Sequence, residues 1–203
     1  MVVFAAATLT AGVIALGVFL FARADASTAD EFRGSTPPPD IALPAFTLRN
    51  AFGELENPVD SGDLDGKAVA LTFLDTACTE VCPLIAPAMA TARGRLDAAQ
   101  RERVVLLAIT ANPEVDTPAA VRDFLARHRA RGKLHYLIGS VEELRPVWDA
   151  FSVVSALDSG DDDVHSAGVR VYDSEGMWVS SLHWGVDLTP ENLAHDLTLA
   201  LRG

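Results

Sequence analysis

The chain's two cysteines lie four residues apart, in Cys78-Thr-Glu-Val-Cys82-Pro83. Thiols at that spacing could close a disulfide, exchange it with a client, or grip one soft metal ion. The plainer alternative is a pair of small buried hydrophobes. Position argues for chemistry. The continuous apolar run Val69 to Leu74 ends just before Cys78, and the Ala- and Leu-rich stretch Pro83 to Ala99 begins just after Cys82. The motif therefore falls where a buried strand gives way to a helix, and ligand sites of α/β sheets gather at such strand ends. A helix N-terminus offers unpaired N–H groups and a positive dipole end, which lower a cysteine's pKa. If the turn is itself helical, a spacing of four puts both sulfurs on one face.

A soft-metal site needs a third donor, and His165 is the candidate. It follows the acidic loop Asp158-Ser-Gly-Asp-Asp-Asp163 and comes just before a strand at Gly168 to Tyr172. His128, His135 and His195 read as surface or satisfied residues, while His183, beside Trp184, is an outside candidate. Met89 reads as core packing and Asp161 to Asp163 as a solvated loop.

The elements that must position these groups are legible. A second apolar run, Val104 to Ile109, reads as another buried strand. Thr117-Pro118 caps and opens a helix carrying Val121, Phe124 and Leu125. Ser140 to Glu143 is a capping box before Leu144, Val147, Trp148 and Phe151, with Pro146 deep enough to kink the helix or displace its start. Short hairpins are expected around Gly53, with Phe46 to Leu48 on one side and Leu55 on the other, and around Asp173 to Gly176. Thr189-Pro190 opens a last helix with Leu193, Leu197 and Leu201. Buried strands, crossover helices and a terminal hairpin and helix make an α/β sandwich.

The 203 residues are 49% hydrophobic, which excludes wholesale disorder, and carry a formal charge of −12, which excludes nucleic acid as a partner. Val2 to Ala22 contain no charge and are long enough to cross a bilayer as a helix. A cleaved signal peptide is the alternative, but no basic residue precedes Arg23. The expected organisation is a transmembrane anchor over 1–22, a flexible Pro-rich tether over 23–39 and a globular domain over 40–203. The domain is expected on the extracytoplasmic side, held to the membrane by the anchor.

The run from Phe46-Thr-Leu through Leu64-Asp-Gly-Lys67 to Leu71-Thr-Phe-Leu-Asp-Thr-Ala-Cys78-Thr-Glu-Val-Cys82-Pro resembles the Sco (SenC) family of copper chaperones. The likeness continues in Ile109-Thr-Ala-Asn-Pro-Glu-Val-Asp-Thr-Pro118, in Gly139 to Trp148 and in Val164-His165-Ser. The resemblance implies a thioredoxin-like α/β sandwich with an inserted hairpin. It also implies a copper site (Cu(I), Cu(II) or both) made of Cys78, Cys82 and His165. The implied task is delivery of copper to, or thiol reduction of, the copper A site of cytochrome c oxidase subunit II or another exported client. The chain departs from the family pattern at Ala77, Glu80, Asn112 and Val164, none of them an implied ligand.

Three rivals remain. A thioredoxin-type thiol–disulfide reductase would use Cys78 and Cys82 as its catalytic redox pair. Reductases of that type carry a cis-proline before the penultimate strand, and here no proline stands between Pro146 and Pro190. A peroxidase of the peroxiredoxin kind would also start a helix with its cysteine. A redox sensor would need only the anchor and the pair.

Overall fold

The computed structural model describes residues 31–51, 58–159 and 168–202. The apolar run Val2 to Ala22, Leu55 and the loop carrying His165 lie outside the described residues. Among the described residues no helix is long and apolar enough to cross a membrane.

The strands are β1 (Thr47–Asn50), β2 (Val59–Asp60), β3 (Ala68–Leu74), β4 (Val104–Thr110), β5 (His135–Ile138), β6 (Gly168–Tyr172) and β7 (Trp178–His183). They form one sheet in the order β2-β1-β5-β4-β3-β6-β7. Its centre, β3, β4 and β5, is parallel, whereas β1, β6 and β7 join antiparallel. Helices α1 (Cys82–Arg95) and α2 (Ala98–Glu102) connect β3 to β4, and α3 (Pro118–Arg127) connects β4 to β5. Then come α4 (Val141–Phe151), a single turn α5 (Ala156–Ser159) and the terminal α6 (Pro190–Ala200).

Every residue of β3 and β4 is buried, because helices cover both faces of a parallel sheet. The period of two divides the core. Ala68, Ala70 and Leu74 face Ile85 and Met89 of α1, Phe124 of α3 and Leu197 of α6. Val69, Leu71 and Phe73 face the opposite layer, built on Leu144, Trp148 and Phe151 of α4 with Phe46 and Leu48. Both cysteines belong to the first layer.

The caps at Thr117, Ser140 and Thr189 each accept the expected backbone N–H, so three helices start where their sequences say. The long helix expected over Pro83 to Ala99 is two helices, because the Asp97 capping box with Gln100 starts a new one. Pro146 neither displaces the start of α4 nor interrupts it. Packing on Leu144, Val147, Trp148 and Phe151 outweighs the lost hydrogen bond, and the Trp148 indole N–H fastens the helix to the Thr110 carbonyl at 2.9 Å. The first hairpin exists, but its return strand is β2 at Val59, beyond Leu55.

The chain departs most from expectation in the segment read as a tether. The compact unit begins at Phe32, ahead of the expected boundary at Asp40. Ser35 bridges Ser181 of β7, and Ala42 bridges Met177. The fully buried Asp196 of α6 accepts the Arg33 N–H at 2.8 Å, the Gly34 N–H at 3.0 Å and the Ser180 hydroxyl at 2.7 Å. A Cβ on Gly34 would stand 2.3 Å from Ser180 Oγ and 2.6 Å from the Ser181 carbonyl oxygen, so only glycine fits this strap. Gly34→Ala is therefore expected to undock it and destabilise the domain by about 1–3 kcal/mol in chemical denaturation. A variant unfolding at the native denaturant concentration would show that the strap contributes nothing.

Candidate metal centre

β3 leaves the sheet at Leu74 and the chain turns through Asp75 to Val81 before α1 begins at Cys82. The first turn of α1 has no side-chain cap from Val81, and Pro83 occupies one of the positions where a missing N–H costs nothing. The Cys78 sulfur fills that gap by accepting the Cys82 N–H at 3.4 Å. The segment between the cysteines is loop, so the sulfurs meet because the turn folds back onto the helix start and not by sharing a helical face. Both are thiols, with Cys78 4% and Cys82 0% exposed, under a lip formed by the exposed Thr79 and Glu80.

The helix start does not lower the pKa of Cys82 as expected. Its hydrogen bond with Cys78, and then burial, push the thiol far above the ordinary range, while a backbone hydrogen bond from Asp75 works the other way. Two sulfurs in a dry pocket cannot both carry charge without a cation between them. Cys82 therefore holds its proton firmly, and a soft cation between the sulfurs is what can replace it.

A buried polar layer supports the turn. Asp75 accepts the Ala77 N–H at 2.7 Å through Oδ1 and the Asn112 side-chain amide at 2.9 Å through Oδ2. Asp116 accepts the Thr76 N–H at 2.9 Å through Oδ1 and the Thr110 hydroxyl at 2.6 Å at Oδ2, where the Tyr136 hydroxyl also stands at 2.7 Å. Burial holds Asp116 above the usual carboxylate range, against the pull of these hydrogen bonds. Sequence reasoning missed Asp75, Asp116 and Tyr136 as parts of the site. One signal was available: an aspartate directly after a strand rich in apolar residues must be either surface or a buried hinge with donors waiting.

The structure brings Cys78 and Cys82 together. His165 lies outside the described residues, and among those described no three His, Cys, Asp or Glu side chains converge in a metal-binding group. The strand that His165 precedes is described. Gly168 opens β6 with its carbonyl accepting the Thr72 hydroxyl at 2.8 Å, at the end of β3 from which the cysteine turn departs. His183 pairs with Gly168 at that same end and is exposed. The His128 ring is tilted against Phe124 with ring centroids 4.6 Å apart at the end of α3, His135 opens β5, and the His195 ring sits 3.0 Å from Asp196 on α6. Met89 is fully buried in the core.

Comparison with known proteins agrees with this layout. A protein of Stutzerimonas stutzeri named for copper binding is 33% identical over 108 residues, 53% of this chain and half the length of that relative. The ScoI protein of Bradyrhizobium japonicum, solved with copper bound, superposes with a TM-score of 0.59 at 26% identity, over 78% of this chain and 98% of its own. BsSco, described as a member of the Sco family of cytochrome c oxidase assembly proteins with a disulfide switch, superposes at 0.65 with 22% identity, over 83% and 98%. These neighbours make the fold thioredoxin-like. The SCO1/SenC family model matches residues 35–202, from the strap at Ser35 through the terminal helix, and to that family the chain belongs.

Proposed function

We propose that this chain is a membrane-anchored copper metallochaperone working on the extracytoplasmic side, with Cys78, Cys82 and His165 as its ligands. The observation that carries the reading is the buried pair of free cysteines, with the Cys82 N–H on Cys78 Sγ, at the end of β3 where β6 also begins. Soft thiolates select Cu(I), and an imidazole added to them makes a site that also accepts Cu(II). His165 precedes Gly168, the first residue of β6, by three positions in the sequence. Loading releases the thiol protons, and the ion takes over the charge that burial forbids the sulfurs to carry alone. The loop position of Cys78, outside the helix, leaves one sulfur on a segment that can hand its ion to a client. The client proposed is the copper A site of cytochrome c oxidase subunit II, in keeping with family membership and with what is said of BsSco.

A second reading has its own support. The same two sulfurs can close a disulfide, and a disulfide switch is reported for BsSco. In that reading the chain reduces cysteines of its client, one thiolate attacking and the other resolving the mixed disulfide.

Three outcomes test these readings. Copper titration of reduced protein should show one tight site, absent after oxidation and lost in both Cys78→Ser and Cys82→Ser. Wild-type affinity in either single variant would break the shared-site model. His165→Ala should keep the fold and a reducible Cys78–Cys82 pair while weakening copper retention by at least about tenfold and altering the Cu(II)–thiolate absorption. An unchanged spectrum and affinity would put the reductase reading first and make His183 the next position to replace. Membrane fractionation should find the intact chain with the membrane and its domain open to extracytoplasmic protease; an intact chain in the cytosol would remove the anchor.

A further inference from the structure

One buried acid has no part in holding the ion. Asp116 lies between β4 and α3, 3% exposed, and its hydrogen-bond neighbours are all uncharged. Their protons can be counted. The Thr76 N–H donates to Oδ1, and the Thr76 hydroxyl is a further donor to this carboxyl group. Thr110 Oγ1 already accepts the Asn112 N–H at 3.1 Å, so its own proton goes to Asp116 Oδ2. Tyr136 has a single hydroxyl proton and faces two oxygens, the Leu74 carbonyl at 2.9 Å and Asp116 Oδ2 at 2.7 Å. A carbonyl never donates, so with an ionised Asp116 one of those two contacts would set lone pair against lone pair. A proton on Oδ2 resolves it. Asp116 then donates to the Tyr136 oxygen, Tyr136 donates to the Leu74 carbonyl, and both contacts of the Tyr136 hydroxyl are hydrogen bonds.

We propose that Asp116 is the positioning residue of the dithiol turn and works as a neutral carboxylic acid, tying Thr76 through Oδ1 to β4 and β5 through Oδ2. This rests on Cys78 and Cys82 being the working pair. Neutrality has a purpose there. The titratable groups gathered around Tyr136 are Asp116, Cys82 and Asp75. A loaded site brings two thiolates into the same dry region, and a further negative charge beneath them would oppose their formation. A protonated Asp116 supplies the hydrogen bonds of an acid without its charge. Burial, which raises its pKa, acts in the same direction.

The sign of the pH dependence follows. A group held above its unfolded value, 3.8 for this carboxyl, contributes stability that is complete below that pH and is lost as pH rises through the folded value. The test uses the detergent-solubilised full chain without metal, as native protein, Asp116→Asn and Asp116→Ala. Stability against denaturant is followed over pH, and the Cys78–Cys82 reduction potential is read in a glutathione buffer. The native chain should lose stability with rising pH above 3.8, and Asp116→Asn should lack that component. Asp116→Ala should shift the pair to a more negative potential, because the described dithiol form loses its brace, and Asp116→Asn, whose amide can donate to Tyr136 and accept from Thr76 but cannot accept from Thr110, should recover part of that shift. If Asp116→Ala does not fold, the other two decide, together with the infrared band of a protonated carboxylic acid, present in the native chain and missing from Asp116→Asn. Identical pH dependence in native and Asp116→Asn protein, an Asn variant displaced as far as the Ala variant, or the absence of the acid band would each overturn the proposal. Since no metal enters these measurements, a chain that behaves as expected here yet fails to hold copper would sink the copper reading and leave the role of Asp116 intact.

Discussion

Where β3 runs out of the sheet, Asp75 is fully enclosed, and a carboxyl group there must have donors or the strand could not end that way. The Ala77 N–H and the Asn112 amide supply them, and in doing so bend the chain back toward the start of α1. That bend sets Cys78 over the Cys82 N–H. The helix gains an acceptor for one of its first amides, and the sulfurs gain each other. The dithiol is thus a by-product of satisfying buried backbone and carboxyl groups at a strand exit. The functional turn is then as rigid as the layer beneath it, with Thr76 pinned to Asp116 and Ala77 to Asp75.

Asn112 shows how charge is managed in this layer. An amide can donate to Asp75 where a second carboxylate could not, so the contact at 2.9 Å needs no shared proton. Position 112 is one of those at which the chain departs from the family pattern it resembles. With asparagine the layer carries one fewer acid directly beneath the sulfurs. Position 112 therefore sets the charge beside Asp75 at the strand exit.

The legible parts of the fold were those that speak through side-chain pattern. The apolar runs of β3 and β4, the Thr and Ser caps and the terminal hairpin all appear where their residues put them. β5 was missed because four residues, His135 to Ile138, are too few to show a period, and they are drawn into the sheet by pairing with β4 and β1. The strap was missed for a different reason: Arg33, Gly34 and Ser35 bind through backbone N–H groups, which every sequence possesses. Of the candidate site, the cysteine pair could be read from spacing and position. The polar layer could not, because Asp75, Asp116 and Tyr136 are brought together from three separate stretches of the chain by the parallel register of β3, β4 and β5.

That same register explains why the supporting groups come from so many elements. In a parallel sheet, adjacent strands end at one edge, and each end exposes carbonyls and amides that the next helix cannot satisfy. Leu74, Thr110 and the residues after them form such an edge. The Ala111 N–H crosses to the Leu74 carbonyl at 2.8 Å, and the Trp148 indole reaches Thr110 from the far layer. The cysteine turn leaves this edge, tied by Thr76 to Asp116 and by Ala77 to Asp75, with both cysteines packed into the first core layer. The hydrogen bonds and burial of the turn are therefore set by the sheet beneath it, whatever reaches the sulfurs.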